Sequence, residues 1–101
     1  MQLVQILLPR TDNAGRPFRQ EEYDHVKKDL VRRFDGVTAY LQSPAEGLWR
    51  QGAEAANEEI VIFEVMVEEV DREDWRKRQI WLGEMFRQDK IVIRYLPMEL
   101  V

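Results

Sequence analysis

Cysteine is absent from the 101 residues, so neither a disulfide framework nor a thiolate metal centre is available. A single histidine, His25, leaves no imidazole cluster for zinc, and no nucleotide- or cofactor-binding motif stands out. The sequence therefore predicts no metal and no cofactor. Positive charge is also scarce. Fifteen Lys and Arg against nineteen Asp and Glu leave a net charge of -4, whereas a nucleic-acid partner is drawn by a basic stripe that releases counterions. Lys27-Lys28 with Arg32-Arg33, and the Arg76-Lys77-Arg78 run, are interspersed with carboxylates and read as solvated helix faces. No apolar run approaches the roughly 18 residues of a membrane span, and no basic leader precedes the first strand pattern. The expectation is no nucleic-acid partner, no membrane and a cytoplasmic setting.

What is present fits one folded domain over residues 1–101, with 45% hydrophobic and 34% charged residues. Residues 3–8 form a short apolar run stopped by Pro9, which suits a strand covered on both faces. A loop rich in turn formers follows over 10–17. Over 20–34, Tyr23, Val26, Leu30, Val31 and Phe34 recur at helical spacing, with Glu21 and Glu22 at the positive end of the dipole. Gly36 is placed to end that helix in the left-handed conformation. Residues 37–42 read as a second strand. Trp49 and Arg50 lie in a connection to about residue 58, long enough to be functional, mobile or partly continued strand. Residues 60–67 are β-branched and aromatic, the strongest strand in the chain. Asp71 supplies an N-cap for a helix running to about residue 87, with Trp75, Leu82, Met85 and Phe86 as its stripe. Gly83 lowers its propensity by roughly 1 kcal/mol relative to alanine. Residues 91–96 make a last strand.

Strand, helix, strand, strand, helix, strand over about 100 residues is the split β-α-β plan. It predicts an α+β fold, a two-layer sandwich with an antiparallel four-stranded sheet and both helices on one face. Its usual strand order is 4-1-3-2. Parity then sorts the side chains. Val4, Ile6, Leu8, Val61, Phe63, Val65 and Val67 fall beneath the helices. Leu3, Gln5, Leu7, Thr38, Tyr40, Gln42, Ile60, Ile62, Glu64 and Met66 fall on the reverse face. Leu3, Leu7, Tyr40, Ile60, Ile62 and Met66 form a patch too apolar for water, so a homodimer through the open sheet face is expected. Ile80 points away from the core and is a further candidate contact.

Two places are suited to chemistry. The loops 9–19 and 43–58, with the turn at Gln88-Asp89, gather at one end of the sheet. They bring Arg10, Asp12, Asn13, Arg16, Glu46, Trp49 and Arg50 to a place fit for a small polar or anionic ligand. On the reverse face Gln5, Tyr40 and Glu64 interrupt apolar strands, and Arg94 joins them if its parity matches. Buried polar groups need partners or a ligand, so Gln5 is a ligand-binding candidate and the set is either an interface network or a catalytic group. In the catalytic case Glu64, its pKa raised by an apolar setting, would act as acid or base and Tyr40 as donor. His25 sits off the core stripe and is a weak catalytic candidate. The acidic run Glu68, Glu69, Asp71, Glu73, Asp74 lacks the spacing and glycine of a calcium loop.

By element order, and by Phe34-Asp35-Gly36-Val37-Thr38-Ala39-Tyr40 followed by Glu46-Gly47-Leu48-Trp49-Arg50, the chain resembles small bacterial ferredoxin-like proteins of uncharacterised role. That resemblance implies the fold and dimerisation and carries no functional residues across. The chain is also broadly similar to dimeric α+β barrel proteins, which include small monooxygenases and lactone isomerases. Two functions follow as expectations. One is a homodimeric binding or interaction protein. The other is a cofactor-independent enzyme using Glu64 or His25 for proton transfer and Tyr40 or Arg94 for orientation.

Overall fold

Strand β1 (Gln2–Pro9) lies inside the sheet, hydrogen-bonded to a neighbour on each edge, with Val4, Ile6 and Leu8 buried in the core. The structure, a computed structural model, describes residues 1–42, 50–51, 54–55 and 59–101. After β1 come α1 (Gln20–Arg33), β2 (Val37–Gln42), β3 (Arg50–Gln51), β4 (Glu54–Ala55), β5 (Ile60–Val67), α2 (Arg72–Met85) and β6 (Val92–Pro97). The main sheet has the order β2-β5-β1-β6, antiparallel at every pairing. This is the expected 4-1-3-2 order of the four long strands in an α+β ferredoxin-like fold. The 43–58 connection contributes a separate two-stranded ladder, Arg50 opposite Ala55 and Gln51 opposite Glu54.

The core forms where parity and helical spacing meet. Val4, Ile6 and Leu8 of β1 and Val61, Phe63, Val65 and Val67 of β5 pack with Tyr23, Val26 and Leu30 of α1 and Trp75, Leu82 and Phe86. Both helices therefore cover the same face. Each such side chain contributes about 1.5–3 kcal/mol by leaving water. Aromatic contacts tie the layers. Phe18 meets Phe86 edge-on at 4.9 Å between centroids, and Phe34 stacks on Trp75 at 5.3 Å.

Three local expectations change. Val31 is 57% exposed, because one residue beyond Leu30 turns it about 100° off the stripe set by Tyr23, Val26 and Leu30. Gly36 does not end α1 in a left-handed turn. The chain leaves the helix at Phe34 with extended backbone (φ -133°), whose N–H still donates to the Leu30 carbonyl at 2.8 Å. Among the described residues the left-handed positions are Gly15 (φ 82°) and Arg87 (φ 51°).

Arg78 is the third and largest change. Expected in solvent as part of a basic run, it is 6% exposed and lies between the helices. Its Nε donates to Asp29 Oδ2 of α1 at 2.8 Å and its Nη1 to Asp74 Oδ2 at 2.9 Å. The guanidinium sits 4.7 Å from the Trp75 ring centroid and 5.4 Å from that of Phe34. Arg33 adds a bond to Asp74 at 3.1 Å. Burial works against the charged Asp74 carboxyl, but Arg78 and then Arg33 outweigh it and hold its pKa below the ordinary 3.8.

Helix α2 starts as expected, with the Asp71 side chain accepting from the Asp74 N–H at 3.2 Å. Its end explains Gly83. The Gln88 N–H donates to the Gly83 carbonyl at 2.9 Å, and a Cβ on Gly83 would lie 3.1 Å from the Gln88 carbonyl oxygen. The missing side chain makes room for a tight α2–β6 turn.

Candidate functional site

Strand register decides which side chains share a site. Pro9 and Gln42 both stand opposite Ile60, and Leu7 opposite Val92. The β1–α1 loop, the last residue of β2 and the α2–β6 turn therefore lie at one end of the sheet. Arg10, Asn13 and Arg16 come together there in one loop. Trp49 and Glu46 lie outside the described residues. Arg50 is described as part of β3.

That loop is held by its own backbone. The Arg10 N–H donates to the Glu59 carbonyl at 3.2 Å, the Phe18 N–H to that of Arg10 at 3.0 Å, and the Asp12 N–H to that of Arg16 at 2.8 Å. Asp12 Oδ1 accepts from the N–H groups of Ala14 and Arg16, each at 2.9 Å. The Arg16 N–H lowers the Asp12 pKa most, against partial loss of water, with Ala14, Arg87 and the Arg16 charge adding to the lowering. Arg87 Nη2 approaches Asp12 Oδ2 at 3.6 Å, and Gln88 Nε2 donates to Asn13 Oδ1 at 3.5 Å. Arg10 Nε lies 4.0 Å from Glu59 Oε2. The end is a loop tied by its own backbone and by the Asp12 carboxylate, with the charges of Arg10, Arg16 and Arg87 gathered about it.

The reverse face carries the second candidate. Thr38, Glu64, Gln5 and Arg94 align on one rung across all four long strands. Gln5 Nε2 donates to Glu64 Oε2 at 2.6 Å, and Arg94 Nε donates to Gln5 Oε1 at 2.8 Å. The amide thus reads a carboxylate with its donor end and a guanidinium with its acceptor end. Tyr40 belongs to the next rung, opposite Ile62. Thr38 takes the place beside Glu64 that parity alone left open to Tyr40.

The rungs beside this row are apolar. Leu3 stands between Met66 and Leu96, and Leu7 between Ile62 and Val92. Met66, Val92 and Leu96 are each about two-fifths exposed. Leu7 and Ile62 differ from expectation: they are buried within the single chain, at 8% and 2% exposure, although they stand outside the helix-side cluster. The uncovered patch is therefore smaller and displaced toward Met66 and Leu96. His25, exposed on α1, lies in the helix layer and lines a depression with Lys28 and Trp81. The sheet stands between it and the Glu64–Arg94 row, so these residues do not form one centre.

No protein-family profile and no curated protein matches the sequence. Solved structures do. A point mutant of CutA1 from Pyrococcus horikoshii OT3 superposes with a TM-score of 0.64 at 16% identity, covering 100% of this chain and 86% of that one. A phage SAM lyase in complex with S-methyl-5'-thioadenosine gives 0.60 at 15% identity, over 94% of this chain and 79% of that one. Another CutA1 structure from Pyrococcus horikoshii gives 0.57 at 16% identity, over 100% of this chain and 86% of that one. Likeness at this identity is a likeness of fold.

Proposed function

We propose that the chain is a noncatalytic binding or interaction protein that pairs with a second copy through the reverse face of its sheet. A small polar or anionic ligand sits at the loop end in this reading, and the setting is cytoplasmic. The observation that carries it is the Glu64–Gln5–Arg94 row flanked by exposed Met66, Val92 and Leu96. A row with a carboxylate on an inner strand and a guanidinium on the edge strand is self-complementary about a two-fold axis near Gln5. The Arg94 of each copy then approaches the Glu64 of the other. Burying what remains exposed of those three side chains on both copies contributes several kcal/mol, against association costs of roughly 4–15 kcal/mol, so the polar row has to add to the pairing.

Light scattering on the eluting protein tests this. A dimer is expected at micromolar concentration, and Met66→Asp or Leu96→Asp releases monomers with the fold intact. Ile62 is unsuited to the test, because at 2% exposure its substitution would disrupt the chain itself. A native protein that is monomeric at micromolar concentration overturns the reading.

A second reading, a cofactor-independent enzyme of the dimeric α+β barrel type, is favoured by one feature. Glu64 is half-buried and hydrogen-bonded by an amide that a guanidinium orients. In this reading Glu64 moves the proton and Arg94 orients the substrate, without His25. Glu64→Gln abolishing a measured turnover while the assembly persists would decide for it. The fold likeness to a lyase supplies no substrate.

A further inference from the structure

The sheet end opposite the loops holds a cleft that the reading above does not use. It lies between α2 and the edge strand β6, with a volume of about 150 Å³, and is open to solvent. Val4 lies against it and pairs with Tyr95, whereas the loop end begins where Leu7 pairs with Val92. Its walls combine three chemistries. Trp75 and Tyr95 supply aromatic surface, Ile93 an apolar floor, and Arg72 and Arg76 two guanidinium groups at its mouth.

Those arginines are four residues apart, hence on one face of α2. The acids of the α2 cap and first turn are engaged elsewhere. Asp71 caps the Asp74 N–H, Asp74 is held by Arg78 and Arg33, and Glu73 lies 3.7 Å from Lys77. Among the described residues neither Arg72 nor Arg76 has an ion-pair partner. The cleft is also rigid where it matters. Trp75 is packed against both Phe34 and the Arg78 guanidinium, and Gln79 is fixed by donating to the Ile91 carbonyl at 2.7 Å. Tyr95, by contrast, is 45% exposed and presents its ring to solvent.

From this juxtaposition we infer that the α2–β6 cleft is a binding site for a single-ring aromatic anion. Its volume matches the roughly 150 Å³ cavity that accepts one benzene ring in an engineered core. The ring packs on Tyr95 and Ile93 beside the Trp75 wall, and the acid group is gripped by Arg72 and Arg76, whose planar forks suit carboxylate and phosphate alike.

The test uses the full chain, labelled with 15N, titrated with benzoate, benzamide, phenyl phosphate and inorganic phosphate. Saturable shifts are expected for benzoate and phenyl phosphate at the Trp75 indole N–H and the backbone of residues 72–79 and 93–95. Benzamide and inorganic phosphate each lack one half of the recognition and bind more weakly. The Arg72→Ala/Arg76→Ala variant, substituted at exposed positions and checked by its unchanged melting curve, binds benzoate roughly ten- to a hundredfold more weakly. Arg72→Lys/Arg76→Lys recovers part of that loss. Equal binding of benzoate and benzamide, undiminished binding by the alanine variant, or shifts confined to residues 10–16 would each overturn the assignment.

Discussion

The two faces of one sheet differ in how they treat charge. Beneath the helices, an apolar core is roofed by a buried cation, Arg78, whose bonds run to carboxylates on both helices. On the reverse face, Arg94 stands exposed and reaches inward, through Gln5 to Glu64. Both arginines complete a polar chain, but burial separates their worth. Removing one partner from a buried pair leaves uncompensated charge, whereas an exposed pair is screened by water. The first face holds the chain together, and the second keeps Met66, Val92 and Leu96 partly exposed.

The sharpest way to break this contrast is to truncate one leucine on each face. Leu82→Ala, at 0% exposure, is expected to cost about 3 kcal/mol or more in denaturant unfolding. Leu96→Ala, 43% exposed, should cost below about 1 kcal/mol in the monomer. Equal losses would erase the distinction.

Arg78→Met should cost about 3 kcal/mol at pH 7. Because the folded Asp74 pKa is depressed, its stabilisation is present above the ordinary 3.8 and is lost as pH falls through the folded value. The stability difference between the native protein and Arg78→Met should therefore narrow only below pH 3.8, as the folded Asp74 takes up its proton.

Tyr23 offers a smaller effect at the opposite end of the pH scale. Burial, reinforced by Glu22 against an opposing Arg10, pushes its pKa from 10.0 up to about 12, and its hydroxyl donates to the Pro9 carbonyl. Its neutral form stabilises the fold fully below pH 10, and that contribution disappears as pH rises to about 12. Tyr23→Phe should cost about 1 kcal/mol at neutral pH and show a weaker alkaline loss. Smallest of all, Arg94→Ala should change monomer stability by under about 0.5 kcal/mol. A larger loss would mean that the reverse face also holds the chain together.

Element order, strand parity and the helical stripes are legible in the sequence because each is a periodicity. Parity put Gln5 and Glu64 on one face and left Arg94 conditional, and the register of the last strand settles it by pairing Arg94 with Gln5. Parity could not say which residue of β2 joins them, since parity gives a face and register gives a rung. Thr38 rather than Tyr40 is the result. Arg78 was hidden by its neighbours Arg76 and Lys77, although its spacing from Trp75 and Leu82 places it on the core stripe. The ladder of Arg50–Gln51 with Glu54–Ala55 is too short for alternation to register. The burial of Leu7 and Ile62 within the single chain leaves no local signal in the sequence. At the loop end of the sheet, turn residues located the loop, while its ties to Arg87 and Gln88 join positions more than 70 residues apart.

The central place of β1 bears on how the protein is made. Gln5 finds Glu64 only 59 residues later and Arg94 only 89 residues later. At a ribosomal pace of about 5–20 residues per second, the first strand to be synthesised waits several seconds for each edge to be filled. Until then an oily segment with both hydrogen-bonding edges bare sits on the nascent chain, the interval in which a holdase chaperone would have most to protect.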